Sequence, residues 1–443
     1  VKAKVRELIA NKDVSELIKR SSVSLSIRLI GTLFTYLLAL LMIKEYGISA
    51  WGSFMLLFTV FQISLLAARL GIDKNFMIFA SRNFRGQTEF NTHSLFVKST
   101  KTLIISGLIV SILVWALSSF LSKTLFHSFD QAFSIQLIAL TLIPAALLML
   151  NAEGLRAIKQ NAWYSFFEKG GFFTFTFFGI GISLFLFSHL ILPIQSFVIS
   201  VFVLSILSYI IWNNKSKDAF PSEGAEINSK QILKSSLPLL LSGSGFLLMS
   251  WIDVIVLGIV DTEESVGTFN VAARIASVSS ILLVAINTVN GPKIASFFAK
   301  KEFNRLHQYV KHSNLITGSL ALPLLIIIFI FPAFLIGIFD KAIYSEKLVY
   351  SLFILAIGEF VNALCGSVGL ILQTTNNQKA FQNIVLVSAL INIILSIALI
   401  PSLGILGAAI SNAISTLTWN IASVIIIKKR LGFFTLPTLS LTK

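Results

Sequence analysis

The sequence predicts an all-α integral membrane protein of twelve transmembrane helices, arranged as two six-helix lobes with both termini cytoplasmic. Three observations predict it. The 443-residue chain is 55% hydrophobic and only 12% charged, with a mean hydropathy of +0.85, whereas soluble domains carry about 25% charged residues. Apolar runs of spanning length recur from end to end, separated by short charged or turn-forming segments. Basic residues also alternate from loop to loop. An ordinary soluble enzyme is excluded. A transmembrane barrel is excluded too, because stretches such as Leu320 to Ile330 are apolar at consecutive positions, where barrel strands alternate.

A hydrocarbon core of about 30 Å takes roughly 20 helical residues. The first two runs, 21–43 and 48–68, are divided by a turn holding Lys44. The first has spanning length and shows no small-residue cleavage site near its end, so it reads as a retained span and not a signal peptide. Arg69, Lys74, Arg82 and Arg85 then form a basic loop suited to orientation and anionic-lipid contact, ahead of the third span at 102–121. The fourth, 133–150, follows the turn around Lys123. Ser188, His189 and Pro193 divide the fifth and sixth, 166–188 and 192–212, which together run to about 45 residues, too long for one crossing. After a polar segment, the last six spans occupy 236–259, 266–292, 313–338, 348–372, 382–400 and 404–427. Helices can bend at Gly243-Ser244-Gly245, at Pro292, which ends the apolar part of span eight, and at Pro323 and Pro332. The expected organisation is an N-terminal lobe over 1–212, a cytoplasmic linker over 213–235 and a C-terminal lobe over 236–443.

The balance of 35 Lys and Arg against 20 Asp and Glu, a formal +15, would suggest a nucleic-acid partner in a soluble protein. Here it reports topology. Lys44, Lys123, Lys341 and Lys347 lie in one set of loops and Arg28 and Arg274 within spans, which leaves 29 of the 35 in the N-terminal segment, the alternate loops and the tail. That asymmetry places both termini in the cytoplasm and supports an even number of spans. The single cysteine, Cys365, lies in an apolar run, so there is neither a disulfide framework nor a zinc set.

Two halves are also visible as a repeat. At an offset of 215, Trp51-Gly52-Ser53-Phe54 falls on Val266-Gly267-Thr268-Phe269. The loops after spans four and ten, Leu150-Asn151-Ala152-Glu153 and Leu372-Gln373-Thr374-Thr375, have similar character. Six spans between copies give parallel repeats. With Trp251-Ile252-Asp253-Val254-Ile255-Val256-Leu257-Gly258, Val266-Gly267-Thr268-Phe269-Asn270-Val271-Ala272-Ala273-Arg274 and Leu403-Gly404-Ile405-Leu406-Gly407-Ala408-Ala409, the chain resembles the bacterial polysaccharide-transporter family. That family contains the O-antigen and oligosaccharide flippases of the multidrug, oligosaccharidyl-lipid and polysaccharide exporter superfamily. The resemblance implies two six-helix lobes around a central cavity that opens alternately to either side. It implies a multi-pass protein of the bacterial inner (plasma) membrane, exporting an undecaprenyl-diphosphate-linked oligosaccharide.

Ionisable groups inside spans cost about 2.5–3.5 kcal/mol on insertion scales and are functional candidates by default. Four qualify: Arg28, Asp253, Arg274 and Glu359. Arg28 lies roughly 10 Å from the inner edge of span one and Arg274 roughly 12 Å from the outer edge of span eight, at about 1.5 Å per residue. Each can grip a lipid diphosphate bidentately as a substrate-binding residue. The alternatives are that Arg28 snorkels to the inner face and that Arg274 pairs with Asp253. Asp253 is a pairing or helix-positioning group, and Glu359 is either a neutral or paired carboxyl or the site that takes up a coupling H+ or Na+. Asn287, Asn290, Asn362, Asn392 and Asn412 line a sugar path or join helices.

An enzyme is not expected: the chain has no P-loop and no sizeable outer domain, and His307 and His312 are spaced i, i+5, off the face of a zinc helix. No cofactor is expected beyond a coupling ion, and no nucleic acid. The expected partners are a lipid-linked oligosaccharide, membrane lipid and polysaccharide assembly proteins. Two rivals remain at this level, a cation-coupled multidrug exporter of the same superfamily and a membrane polymerase or glycosyltransferase.

Overall fold

The computed structural model describes residues 12–84, 90–187, 193–217, 219 and 225–436. Side chains at 12–21, 186–187 and 241–244 fall outside that description, as do Arg85 and the junction at 188–192. The fold is all-α. Among the described residues the only β pairing is an isolated bridge between Phe90 and Ala225. Nine helices there are long and apolar enough to cross a bilayer, or ten if Ser229–Leu240 and Gly245–Val260, which meet at 65°, are one span. The protein is therefore a multi-pass membrane protein.

The chain packs as two compact units, one formed by Val1–Leu41 with Leu57–Ser242 and the other by Met42–Leu56 with Gly243–Lys443. Helix α1 (Lys12–Arg69) contributes to both, and its backbone leaves helical geometry at Gly47, at φ 85° and ψ 168°. A glycine is suited to that corner because positive φ carries no Cβ penalty. This corner separates the first two predicted spans.

In the first unit, α2 (Ile72–Phe84), α3 (Thr92–Ala116) and α8 (Pro193–Ser216) all pack on α5 (Ala132–Ala157). Between α3 and α5 lies the short α4 (Ser118–Phe126). After α6 (Asn161–Ser165) the chain makes a π-turn over Phe166–Gly170 before α7 (Gly171–Phe187). The fifth predicted span therefore starts on a wider turn, not a regular α-helix. Bilayer lipid is as apolar as the side chains themselves, so shape and contact hold such helices together. Phe61 meets Phe197 at 5.0 Å and Phe172 at 6.0 Å, both edge to face, and Phe58 meets Phe173 at 4.8 Å. Each such pair contributes about 0.5–1.5 kcal/mol beyond its buried area. The polar segment beyond α8 packs on this unit as well: Asn91 N–H donates to the Ala225 carbonyl at 2.9 Å, and the Asn75 amide donates to Ser235 at 2.9 Å.

In the second unit, α16 (Ile405–Leu431) packs on α13 (Glu346–Cys365) and α15 (Gln378–Leu403), while α10 (Glu263–Ala299) packs on α13 and on α11 (Phe303–Ile330). Helix α9 (Ser229–Val260) leads into this group. Pro292 does not end α10, which continues to Ala299. Pro332 does interrupt span nine: α11 stops at Ile330 and α12 (Pro332–Phe339) begins on the proline, which lacks an N–H and fits a first helical turn. Span ten is broken at Gly366, ahead of α14 (Val368–Thr374).

The turns of this unit gather at opposite ends, as the loop parity requires. Residues 260–265, 342–345 and 400–405 line one cavity of about 590 Å³. At the other end Arg430 donates to Asn377 at 2.7 Å, Asn314 donates to the Thr435 carbonyl at 2.8 Å, and His307 stacks on Phe433. The two copies of the repeated motif meet face to face within this unit. A Cβ at Gly52 would fall 1.7 Å from the Glu263 carbonyl oxygen, and one at Gly267 would fall 2.4 Å from that of Ile48. The shared glycine of Trp51-Gly52 and Val266-Gly267 is thus what lets the two backbones cross.

Candidate functional site

The four intramembrane charges fall into two settings. In the first unit, Arg28 Nη2 lies 3.3 Å from Glu168 Oε2 and its Nε donates to Ser165 at 3.2 Å. Both partners come from the α6 and π-turn segment, where the wider turn carries Ser165 and Glu168 toward α1. Arg28 also lies 6.0 Å from the ring centre of Tyr164, and Arg156 lies 4.9 Å from it. Arg156 in turn pairs with the buried Glu153 at 3.4 Å, and Lys74, which stands on the helix α2 and not in the loop the sequence predicts, closes on the same carboxylate. Burial, then the nearby Glu153 and Glu168 carboxylates, push the Tyr164 phenol above its ordinary pKa. Lys74, Glu153 and Arg156 thus alternate in charge, and the neutral Tyr164 ring lies near both Arg156 and Arg28.

In the second unit, Asp253 is fully buried, and its hydrogen bonds come from neutral groups. Oδ1 accepts from Asn392 at 3.2 Å and Ser396 at 2.7 Å, and Oδ2 accepts from Asn412 at 3.0 Å. Those donors stand on α15 and α16, so the carboxylate ties both to α9. Glu359, on α13, accepts from Ser280 of α10 and from Asn362 at 3.2 Å, and Asn362 accepts from Asn420 of α16 at 3.2 Å. Arg274 stands with its guanidinium 4.7 Å over the Trp51 ring and 3.8 Å from Met55 Sδ.

One cavity of about 290 Å³ is lined by Arg274, Glu359 and Asn412 together with Ser250, Asn270 and Ser277. Asp253 lies one hydrogen bond behind it, through Asn412. The structure thus brings Arg274 and Glu359 to one site, with Asp253 as its backing. Arg28 is in the other unit, on its own ion pair. Of the amides, Asn392, Asn412 and Asn362 serve the two carboxylates, while Asn290 donates to Ser313 and Ser367 and accepts from Tyr309, joining helices. Asn287 Oδ1 is buried without a hydrogen-bond partner. Among the described residues, no three His, Cys, Asp or Glu side chains gather where they could hold a metal ion.

Two groups central to this arrangement were not singled out by sequence. Glu168 was visible only as a charge at the start of an apolar run, and Trp51 only as part of the repeated motif.

A family model described as polysaccharide biosynthesis protein matches residues 17–298. The chain belongs to that family. A second model, MatE, matches residues 238–398. Two relatives from Haloferax volcanii are similar to part of it. One is named a probable low-salt glycan biosynthesis flippase, Agl15, and is 26% identical over 42% of this chain and 40% of its own length. The other is named a probable flippase, AglR, and is 27% identical over 43% of this chain and 40% of its own length. The matched region thus spans less than half of either relative. Among solved structures, an inward-facing MATE-family multidrug resistance transporter of the MOP superfamily superposes with a TM-score of 0.74 at 14% identity, over 93% of this chain and 98% of that one. The lipid II flippase MurJ in an inward closed conformation gives the same score and identity, over 93% of this chain and 87% of that one. At this identity the likeness is one of fold.

Proposed function

We propose that the protein is a flippase for a lipid-diphosphate-linked oligosaccharide. It moves the undecaprenyl-diphosphate-linked repeat unit of an O-antigen, capsule or similar surface glycan outward across the plasma membrane by alternating access. Membership of the polysaccharide biosynthesis family supports this reading, as do the names of the two flippase relatives. The observation that carries it is Arg274, an intramembrane guanidinium 4.7 Å over the Trp51 ring that lines a cavity. The ring face holds the cation in place, and a planar fork in a medium poor in water is the group best suited to diphosphate oxygens.

Arg28 is the second station for the head group, reached by exchange of Glu168 for a phosphate oxygen. Glu359 takes up the coupling H+ or Na+: it shares the cavity with Arg274, and a cation arriving there changes the local field that holds the anion. The protein acts as a transporter, with the sugars tolerated by polar helix faces and no bond made or broken. Its partners are the lipid-linked glycan, membrane lipid and the polysaccharide assembly proteins that receive the product.

The test is transport of a fluorescent lipid-diphosphate-linked sugar in proteoliposomes, scored by its access to an external, membrane-impermeant lectin. Wild-type protein should translocate it, and Arg274→Ala should reduce the rate with normal expression. If Arg28→Ala and Arg274→Ala both transport at the wild-type rate, the cationic stations are wrong. The two carboxylates Asp253 and Glu359 favour one second reading, a cation-coupled drug exporter. Cation-driven efflux of an organic cation, with no lipid-linked sugar moved, would establish it.

A further inference from the structure

Two cavities in the first unit adjoin and change character along their length. The first, of about 640 Å³, lies between the start of α3 and the end of α8 and is walled by His93, Phe96, Tyr209, Trp212, Asn213 and Lys217. The second, of about 270 Å³, shares Phe96 and Tyr209 with it and continues past Thr100, Leu147 and Ile206. From Thr92 to Thr100 is about 12 Å along the helix, so polar and apolar sections together match a lipid head group and the upper part of its chains. Ile206 is 61% exposed and Tyr209 56%, on the apolar flank of a spanning helix, so the crevice opens sideways to the bilayer. Its polar end carries Lys217, with Lys215 close in sequence, while Lys98 is paired with Glu226 at 3.1 Å; this end belongs to the lysine-rich set of loops. Tyr209 and Trp212 sit where aromatic residues mark a membrane interface.

One further group is unexplained by the fold. Thr100 Oγ1 is buried and has no hydrogen-bond partner, although it lines the apolar cavity. Its neighbour Thr102 instead donates to the Lys98 carbonyl at 2.7 Å, the usual solution for a hydroxyl in a helix. A free hydroxyl just below a cationic mouth suits a lipid with an acceptor beneath its phosphate, which is where a glycerophospholipid carries its acyl ester carbonyls. An isoprenyl phosphate has no ester carbonyl there.

We propose that this crevice is a binding site for an anionic glycerophospholipid of the lysine-rich leaflet. Its phosphate lies against Lys217, His93 and Asn213, an ester carbonyl accepts from Thr100, and a chain runs along Leu147 and Ile206. The site is separate from Arg28, Arg274 and Glu359 and does not depend on which substrate the protein moves.

The experiment is native mass spectrometry of the full-length protein in detergent, titrated with phosphatidylglycerol, phosphatidylcholine, ether-linked phosphatidylglycerol and undecaprenyl phosphate. Phosphatidylglycerol should bind more tightly than phosphatidylcholine. Lys217→Ala should weaken it about fivefold. Thr100→Val, which keeps the shape, should weaken the ester lipid about threefold and leave the ether lipid unchanged. Ile206→Trp should fill the apolar section and remove the tight site. Thermal unfolding of each variant checks its fold, and if Ile206→Trp does not fold, the other two variants carry the test. Phosphatidylglycerol binding that ignores both Lys217→Ala and Thr100→Val overturns the proposal, and so does equal competition by undecaprenyl phosphate.

Discussion

Replacing Glu168 with Gln should free Arg28 for an anion and tighten diphosphate binding. The Arg28–Glu168 contact is 3.3 Å long, and the two side chains are 32% and 28% exposed. At that distance the attraction is about 5 kcal/mol for an effective dielectric of 20 and about 1 kcal/mol in water. Partial exposure, salt and the ordering of two long side chains bring the net value to about 1 kcal/mol. A phosphate approaching Arg28 must displace that carboxylate, so Glu168→Gln should improve the dissociation constant about fivefold. Arg28→Ala removes a charge-assisted contact and should weaken it by about tenfold or more. The assay is calorimetric titration of the detergent-purified protein with a short-chain isoprenyl diphosphate, for wild type, both single variants and the double variant. In the Arg28→Ala background Glu168→Gln should bring no gain, because the competition it relieves is gone. Weaker binding by Glu168→Gln, or the same gain with Arg28 absent, would refute the reasoning.

Other substitutions test the second unit. Asp253→Ala strands the Asn392 and Asn412 amides and should cost about 1–3 kcal/mol, seen as a lower unfolding temperature; Asp253→Asn keeps the shape without the buried charge and should unfold at or above the wild-type temperature. Arg274→Lys keeps the charge but gives up the planar fork over the Trp51 ring, and should weaken diphosphate binding by a few-fold, less than Arg274→Ala does. Glu359→Gln should make transport in proteoliposomes indifferent to imposed proton and sodium gradients; retained gradient dependence removes Glu359 from coupling. Gly267→Ala would push a methyl to 2.4 Å from the Ile48 carbonyl oxygen and should lower stability by about 1–3 kcal/mol, measured as thermal unfolding.

The helices were legible because their cause is local: twenty consecutive apolar residues are a helix in lipid whatever surrounds them. Pro332 could be recognised as a place to bend for the same reason, since a missing N–H acts on its own turn. Pro292 marks the end of the apolar part of span eight, and α10 carries the proline inside it and continues to Ala299. The intramembrane charges were legible as candidates, again from composition alone. Their partners were not. Glu168 stands 140 residues from Arg28, and Asn392, Ser396 and Asn412 stand 139 to 159 residues from Asp253, so no spacing rule connects them. The π-turn at Phe166–Gly170 was equally silent, although it brings Ser165 and Glu168 to Arg28. Trp51-Gly52 was noticed for matching Val266-Gly267 in letters, and their contact was invisible until the backbones were seen to cross.

The two units bear their charges in opposite ways, and the difference bears on mechanism. In the first, Glu153 takes Lys74 and Arg156, and Glu168 takes Arg28. Such pairs hold one arrangement until a competing ion arrives, and the competitor for Arg28 must be an anion. In the second, Asp253 and Glu359 are held by hydroxyls and amides, which offset part of the cost of a buried carboxylate and leave its charge uncompensated. A buried negative charge met only by dipoles is a place where a small cation gains most by binding. Arg274 lines the same cavity as Glu359. Arg28, which meets a carboxylate, and Asp253 and Glu359, which accept from neutral donors, therefore differ in partner chemistry.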